Sequence, residues 1–314
     1  MHFNWEKKGH IFKPDGSVEW MKSHAQGPGP IVWNGNIRTY FAARPSKNLT
    51  LPTFIDLDIN NPTNILNIHK SPILELGTPG TFDEHGIIPR APIMIDGRLY
   101  MYYIGWSRRT SVPYALNIGL AISDDGTNFK KYSEGPILGV DKHDAFSVTA
   151  PGFIYHNSLF YMFYTAGLKW FLINNRWEHT YTIRMAVSKD GINWERDFKN
   201  VIEPKNEFEC TSAPAILQLE NEFHIWYSYK GSLDFRNAGD ESYRLGYATS
   251  KDLINWERKD NLAGINISDN PKDWDSEMIE YGSIIEIGNK HYLFYNGNGF
   301  SESGFGYAEL KIHQ

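Results

Sequence analysis

Apolar and polar positions alternate in short bursts along this chain, and the bursts repeat. The first is Gly29-Pro30-Ile31-Val32, which breaks at Asn34-Gly35-Asn36 and resumes at Thr39-Tyr40-Phe41. The second runs Ala91-Pro92-Ile93-Met94, breaks at Asp96-Gly97 and resumes at Leu99-Tyr100-Met101-Tyr102-Tyr103. The pattern restarts at Ala150-Pro151, Ala213-Pro214 and Gly282-Ser283, each time with a polar break and a Tyr-rich run. Each burst reads as a hairpin whose turn is made by Asn, Asp or Gly. The anchor positions 30, 92, 151, 214 and 283 stand 62, 59, 63 and 69 residues apart.

A second phrase marks the far end of three units. It is Ser123-Asp124-Asp125-Gly126-Thr127-Asn128-Phe129, then Ser188-Lys189-Asp190-Gly191-Ile192-Asn193-Trp194, then Ser250-Lys251-Asp252-Leu253-Ile254-Asn255-Trp256, at steps of 65 and 62 residues. Each copy follows a short apolar run such as Arg184-Met185-Ala186-Val187. That predicts strand, tight turn, strand. Asp125, Asp190 and Asp252 accept from turn backbone, and the aromatic residue fills the space between units. Four strands repeated five times predicts an all-β chain, a five-bladed β-propeller with four antiparallel strands per blade. Radial closure keeps so much strand from edge-to-edge association.

The repeat sets the domain count. A chain of 314 residues has room for two domains. The units, at approximately 24–75, 83–138, 144–203, 207–262 and 275–310, leave no space for a second, so 1–314 reads as one domain. Long insertions follow the second strands, at 107–116, 168–179 and 232–242. Loops of that length in a compact repeat are more often functional than linking.

Composition excludes several functions. The net charge of −6 comes without a basic run, so nothing argues for nucleic acid. Cys210 is the sole cysteine and allows no disulfide framework. The opening Met1-His2-Phe3-Asn4-Trp5-Glu6-Lys7-Lys8 lacks the apolar stretch of a signal peptide, and no run has the length of a membrane helix. A cytoplasmic protein without membrane association is the expectation. The aromatic content of 15% suits blade packing and also suits stacking on sugar rings.

The Ser-Lys-Asp-x-Ile-Asn-Trp phrase behind strands such as Arg-Met-Ala-Val resembles the five-bladed propeller glycoside hydrolases. These are the invertase-like group, the arabinanase and xylosidase group of family 43, and the mannoside phosphorylase group of family 130. The resemblance spans essentially the whole chain. It implies a sugar site at one end of the central channel, with carboxylates on or just before the inner strands. In the family 43 pattern an Asp directly precedes the blade-one anchor, and here that position is Gly29. The equivalents are Ala91, Ala150, Ala213 and Gly282, so no blade has a carboxylate there. Glu209-Cys210 resembles the acid/base pair of the invertase-like group, although it stands five residues before Pro214 instead of two.

Glycoside cleavage by water needs two carboxyl groups flanking the bond. Glu209 and Glu280 are the preferred candidates, with Asp83 third. Glu280 lies inside the inner strand of blade five, where it is expected to face the channel or to be a buried, hydrogen-bonded acid. Asp83 and Asp275 share the contexts Phe-Asp-Glu and Trp-Asp-Ser-Glu, and this recurrence also fits a structural cap. His24, Gln26, His85, Arg90 and Asp144 precede or enter inner strands, and sugar binding is their candidate role. Arg90 is expected to pair Glu280 or Glu209, or to hold an anionic group. Arg44, Trp106, Trp170, Lys230 and Asn298 end second strands or begin the loops behind them, and form the candidate rim. His24, His85 and His143 make three histidines near the axis, but their spacing is no ligand motif. No metal and no cofactor is implied.

Three functions remain open. One is a carbohydrate-active enzyme that cleaves or transfers a glycosidic bond. Another is a catalytically silent glycan-binding propeller, consistent with Gly29 in place of an Asp. The third is a phosphorylase or transferase, consistent with the basic tone that Arg44, Arg108, Arg109 and Lys230 give the rim. All three take a small-molecule or oligosaccharide partner, anionic in the third case. The oligomeric state is not legible.

Overall fold

The computed structural model describes residues 2–45, 48–237 and 239–313. They form five four-stranded antiparallel sheets. The N-terminal strand is β1 (His2–Phe12). Blade one holds β2 (Ser23–Trp33), β3 (Asn36–Arg44), β4 (Leu51–Leu57) and β5 (Ile65–Ile68). Blade two holds β6 (Gly86–Ile95), β7 (Arg98–Arg108), β8 (Tyr114–Ser123) and β9 (Lys130–Lys131). Blade three holds β10 (Val148–His156), β11 (Leu159–Ile173), β12 (Arg176–Ser188) and β13 (Glu195–Asn200). Blade four holds β14 (Cys210–Leu219), β15 (Glu222–Lys230), β16 (Arg244–Ser250) and β17 (Trp256–Arg258). Blade five holds β18 (Glu280–Ile287), β19 (Lys290–Asn296) and β20 (Phe305–His313), with β1 as its outer strand. The five-bladed, all-β expectation is met. The periodic pattern carries no sign of the role of β1: it pairs with β20 from His2–His313 to Phe12–Phe305 and so ties the start of the chain to its last blade.

The inner strands β2, β6, β10, β14 and β18 touch one another in a ring, with β18 closing onto β2. The five anchor residues Pro30, Pro92, Pro151, Pro214 and Ser283 meet around a small space of about 140 Å³ at one end of the channel. Next to each anchor the inner strand slips register against its partner, between Gln26 and Gly29, Pro89 and Ala91, Thr149 and Gly152, Ser212 and Ala215, and Glu280 and Ser283. These are β-bulges, which re-aim side chains and backbone groups toward the axis. At three of them a residue with a side chain takes positive φ: Ala150 at 45°, Ala213 at 48° and Tyr281 at 54°. That conformation costs about 1 kcal/mol or more per residue and gathers at functional positions.

The repeated Ser-x-Asp phrase locks neighbouring blades together. In blade three, Asp190 accepts from the Ile192 and Asn193 N–H groups, each at 2.8 Å, and from Asn193 Nδ2 at 2.8 Å. The Ser188 hydroxyl donates to it at 2.9 Å. Asp125 and Asp252 repeat the arrangement. The tightened turn presents a carbonyl and an aromatic ring to the blade before it. Tyr40 donates to Gly126 O at 2.6 Å, and Tyr102 donates to Gly191 O at 2.5 Å. Phe129 packs on Tyr40, Trp194 on Tyr102 and Trp256 on Phe163. Gly126 and Gly191 take φ near 70°, and Leu253 in the third copy takes 64°. Leu253 offsets that strain by burying its side chain beside Phe163 and Tyr227.

The hydrogen bonds hold the Asp190 carboxyl well below its ordinary range. Its contribution is therefore present above that range and lost as the pH falls through it. Asp190→Ala should lower stability at pH 7 by about 1 kcal/mol or more, and the deficit should shrink below pH ~4. Chemical denaturation at both pH values checks this, and an equal deficit at both would rule out the carboxylate as its source.

Candidate functional site

At the end of the channel opposite the proline ring lies a cavity of about 480 Å³. All five inner strands reach it, through Gln26 (β2), Arg90 (β6), Thr149 (β10), Ser212 (β14) and Tyr281 (β18). The second strands contribute Arg44, Trp106 and Thr165, and the third strands contribute Tyr114 and His179. No Asp or Glu is among the described lining residues.

Its floor is Arg90, which borders both this cavity and the proline-lined space. Arg90 is 4% exposed. Its Nη1 donates to Tyr281 O and its Nη2 to Gly282 O, both at 3.0 Å, and its Nε has no partner. Neither expected carboxylate partner, Glu280 or Glu209, meets it. Burial lowers its pKa to about 10, so the cation persists at neutral pH inside the protein with only neutral acceptors. Arg44 stands on the wall, where its Nη2 donates to Gln26 Oε1 at 3.2 Å, and burial lowers its pKa as well. A buried cation without an anion is expensive.

Further buried polar atoms on the lining have no hydrogen-bond partner: Ser147 Oγ, Ser212 Oγ and His179 Nε2. His179 lies flat on Trp170, with ring centroids 4.2 Å apart. Burial, aided by the Lys230 charge, pushes its pKa down to about 3, so the imidazole is neutral. Tyr114, Tyr181, Tyr243 and Tyr281 complete one side. Burial raises all four phenol pKa values, and the Tyr181 and Tyr243 hydroxyls share a short hydrogen bond. Orphaned polar atoms around a formed cavity mark a polar ligand site.

Glu280 sits one layer behind this lining. It pairs across the sheet with Asn296, whose Oδ1 accepts from the N–H of the lining Gly27. A bulge follows Glu280, and within it Tyr281 takes positive φ and lines the cavity. Ser301 Oγ donates to Glu280 Oε1 at 3.1 Å, while Oε2 is buried without a partner. Burial raises the Glu280 pKa to about 8, against the lowering effects of Ser301, Tyr281, Arg44 and Lys230.

Glu209 and Asp83 lie elsewhere. Glu209 is gripped by Arg258 at 2.7 and 2.8 Å and accepts from Lys205 N at 2.6 Å. Asp83 takes the Tyr103 hydroxyl at 2.9 Å and Lys131 at 2.7 Å. Asp144 does the same with Tyr164 at 2.9 Å and with Arg184 and Arg196, and Asp275 with Tyr295 at 2.8 Å and Lys7. In all three blades acid and tyrosine are 20 residues apart. This is a repeated brace between the pre-strand loop and the second strand.

Of the other candidates, Gln26, Arg44, Arg90 and Trp106 line the cavity, and Trp170 backs His179. Lys230 is buried, 3.5 Å from Cys210 Sγ and 3.6 Å above the Phe235 ring. His24 bonds Ser23, and burial with Arg44 lowers its pKa to about 4. His85 stacks on Trp106, His143 packs on Phe198, and Asn298 caps the Glu277 N–H. Among the described residues no group of three or more His, Cys, Asp or Glu could hold a metal. No described helix is long and apolar enough to cross a membrane.

No family model matches the chain. Two proteins of Mycobacterium tuberculosis, Uncharacterized protein MT1551 (strain CDC 1551 / Oshkosh) and Uncharacterized protein Rv1502 (strain ATCC 25618 / H37Rv), are each 31% identical to it over 309 residues. The alignments cover 98% of this chain and 99% of each relative. The chain belongs to one family with these mycobacterial proteins, and its fold is that of the five-bladed propeller glycoside hydrolases. A 1,2-beta-oligomannan phosphorylase of Thermoanaerobacter sp. (strain X514) is 31% identical over 141 residues, 41% of this chain and 44% of that one. A solved structure of a glycosyl hydrolase from Bacteroides ovatus superposes with a TM-score of 0.72 at 17% identity, over 98% of this chain and 94% of the other. A structure from the GH130 family of mannoside phosphorylases, described as containing glycoside hydrolases that target β-1,2-mannosidic linkages in Candida mannan, gives 0.71 at 14% identity, over 98% and 94%.

Next to the lining Tyr281 this chain thus holds an acid that favours its protonated form. A carboxyl with a native pKa of about 8 against an ordinary 4.5 binds a proton in the folded state that the unfolded chain releases. Its stabilising effect is complete below pH ~4.5 and drains away as the pH rises toward 8. Glu280→Gln, which cannot ionise, should melt in parallel with the wild type at pH 4 and gain on it steadily up to pH 8. Curves that stay parallel throughout would show that Glu280 is not held protonated.

Proposed function

We propose that this propeller cleaves or forms a glycosidic bond at the axial cavity by transfer to or from phosphate. The observation that carries this reading is the charge pattern. The buried Arg90 and the wall residue Arg44 face a cavity with no carboxylate among its described lining residues, and Glu280, next to the lining Tyr281 in sequence, favours its neutral form. Hydrolysis needs a second carboxylate to activate water. Phosphorolysis does not, because the phosphate oxygen is itself the nucleophile.

In the proposed reaction HPO₄²⁻ is held by Arg44 and Arg90 through charge-assisted hydrogen bonds. Its oxygen bonds to the anomeric carbon while the bond to the leaving oxygen breaks. The leaving oxygen takes a proton that originates on Glu280 and passes through the hydroxyl of Tyr281, which lines the cavity and whose hydrogen bonding acts on the Glu280 carboxyl. Glu280 then recovers a proton from the bound glycosyl phosphate, and charge balances over the cycle. His179, Ser147, Ser212 and Trp106 are assigned to sugar hydroxyls and a sugar face. The local match to a 1,2-beta-oligomannan phosphorylase and to a beta-1,2-mannobiose phosphorylase makes a β-1,2-mannoside the first substrate to test.

The test is incubation of β-1,2-mannobiose with inorganic phosphate, followed by phosphorus NMR for a glycosyl phosphate. Glu280→Gln should slow turnover by roughly 10²–10⁴-fold. Arg44→Ala should raise the KM for phosphate more than it lowers kcat, and Asp83→Asn should leave both nearly unchanged. Equal turnover without phosphate would establish hydrolysis instead. Sugar binding without turnover of any glycoside would establish a binding propeller.

A further inference from the structure

The third blade carries an arm. Strands β11 and β12 run beyond the end of the blade as a hairpin, paired from Lys169–Thr180 to Ile173–Arg176. Alternate residues of a hairpin face opposite ways, and the contacts identify both faces. On one, Glu178 binds Arg236 of the blade-four insertion at 2.9 and 3.0 Å, and Phe171 packs on Phe208. That face is docked on blade four. On the other, Trp170 stacks on His179 and meets the Tyr114 ring edge-on, and His179, Tyr181 and Tyr114 line the cavity.

The cavity face does not stop at Trp170. Leu172 and Trp177 lie directly opposite one another in the register, in step with Trp170 and His179, further from the axis. Leu172 is 59% exposed and Trp177 is 41% exposed. One aromatic wall therefore begins inside the axial cavity and continues into solvent. Across the mouth, the blade-two insertion sets Arg109 and Pro113 on the cavity rim. The Glu178–Arg236 bond holds the arm in place from behind, so the wall is formed in advance and its use costs little ordering.

We propose that the outer face of this arm, Leu172 and Trp177, binds the sugar units of a glycan chain that extends out of the axial cavity, so that the ligand is an oligosaccharide longer than the cavity itself holds. The apolar face of a pyranose ring stacks on the indole, and its hydroxyls stay in water or reach the cationic rim opposite. The occupant is a glycan because the wall is continuous with the lining that presents the orphaned hydroxyls and the neutral imidazole. A separate protein partner would have no reason to share that face. This inference rests on the axial cavity being a sugar site, but not on phosphate as the acceptor.

The test is binding of the intact protein to an array of immobilised oligosaccharides of two to eight residues, β-1,2-mannosides among them, with Trp177→Ala and Leu172→Ala as variants. Both positions are exposed, and unchanged melting confirms that the variants fold. The wild type should bind chains of three or more residues at least about tenfold more tightly than the matching disaccharide. Trp177→Ala should abolish that length dependence and leave disaccharide binding alone. If the disaccharide binds and lengthening adds nothing, or if Trp177→Ala keeps the length dependence, the arm has no such role while the axial reading stands. If no glycan of any length is retained, both fail. A wild-type dimer that Leu172→Ser with Trp177→Ser converts to a monomer on light scattering would assign the face to a second copy of the chain and overturn the proposal.

Discussion

Everything at the axis depends on closing the ring. The cavity exists because five inner strands converge, and they converge only if blade five is held against blade one. That closure is made by β1, which leaves the N-terminus, pairs along β20 and completes the last sheet before the chain starts blade one. The first and last segments of the sequence thereby share one ladder, and β20 is covered on its outer side. Between the other blades the work is local. A turn carbonyl and a ring from one blade plug onto a tyrosine or phenylalanine of the blade before it.

The closed ring forces a charge arrangement that a looser structure would not keep. Arg90 lies across the channel with backbone carbonyls as its only described partners. No described carboxylate pairs with it, and the carboxyl of Glu280 is so desolvated that its neutral form is favoured. The two effects reinforce one another. A neutral Glu280 withholds its charge from Arg44, Arg90 has only neutral acceptors, and cations of this kind beside a polar cavity favour an anionic ligand. The bulges at Ala150, Ala213 and Tyr281 fit the same picture, since strained backbone next to the axis is sustained only where the surrounding sheets determine it.

The acids that lie away from the axis form a system of their own. Asp83, Asp144 and Asp275 each receive a tyrosine hydroxyl and a cation, and Glu209 receives Arg258. Pre-strand loops must end in something that fixes their direction as they enter the sheet, and a buried acid bonded to the second strand does so. In an ion pair of this kind the carboxylate is committed to its cation, and removing either partner would leave a buried charge uncompensated.

The periodic pattern by itself determined the blade number, the hairpins and the anchors, because alternation and turn chemistry are local properties of a chain. It also placed Arg44, Arg90, Gln26 and Trp106 near the axis, since the repeat aligns equivalent positions. It carried no signal that β1 joins β20, because that pairing links residues about three hundred positions apart with no turn between them. It pointed to Asp83 and Glu209 as readily as to Glu280, because a carboxylate has the same letter whether an arginine neutralises it or a sheet buries it. Only the tertiary structure put Arg258 on Glu209 and left Glu280 without a cation at bonding distance. His179 was legible only as part of a long insertion. Its neutral imidazole, its stack on Trp170 and its place on the cavity wall come from desolvation and packing, which depend on what other blades bring to the same point in space.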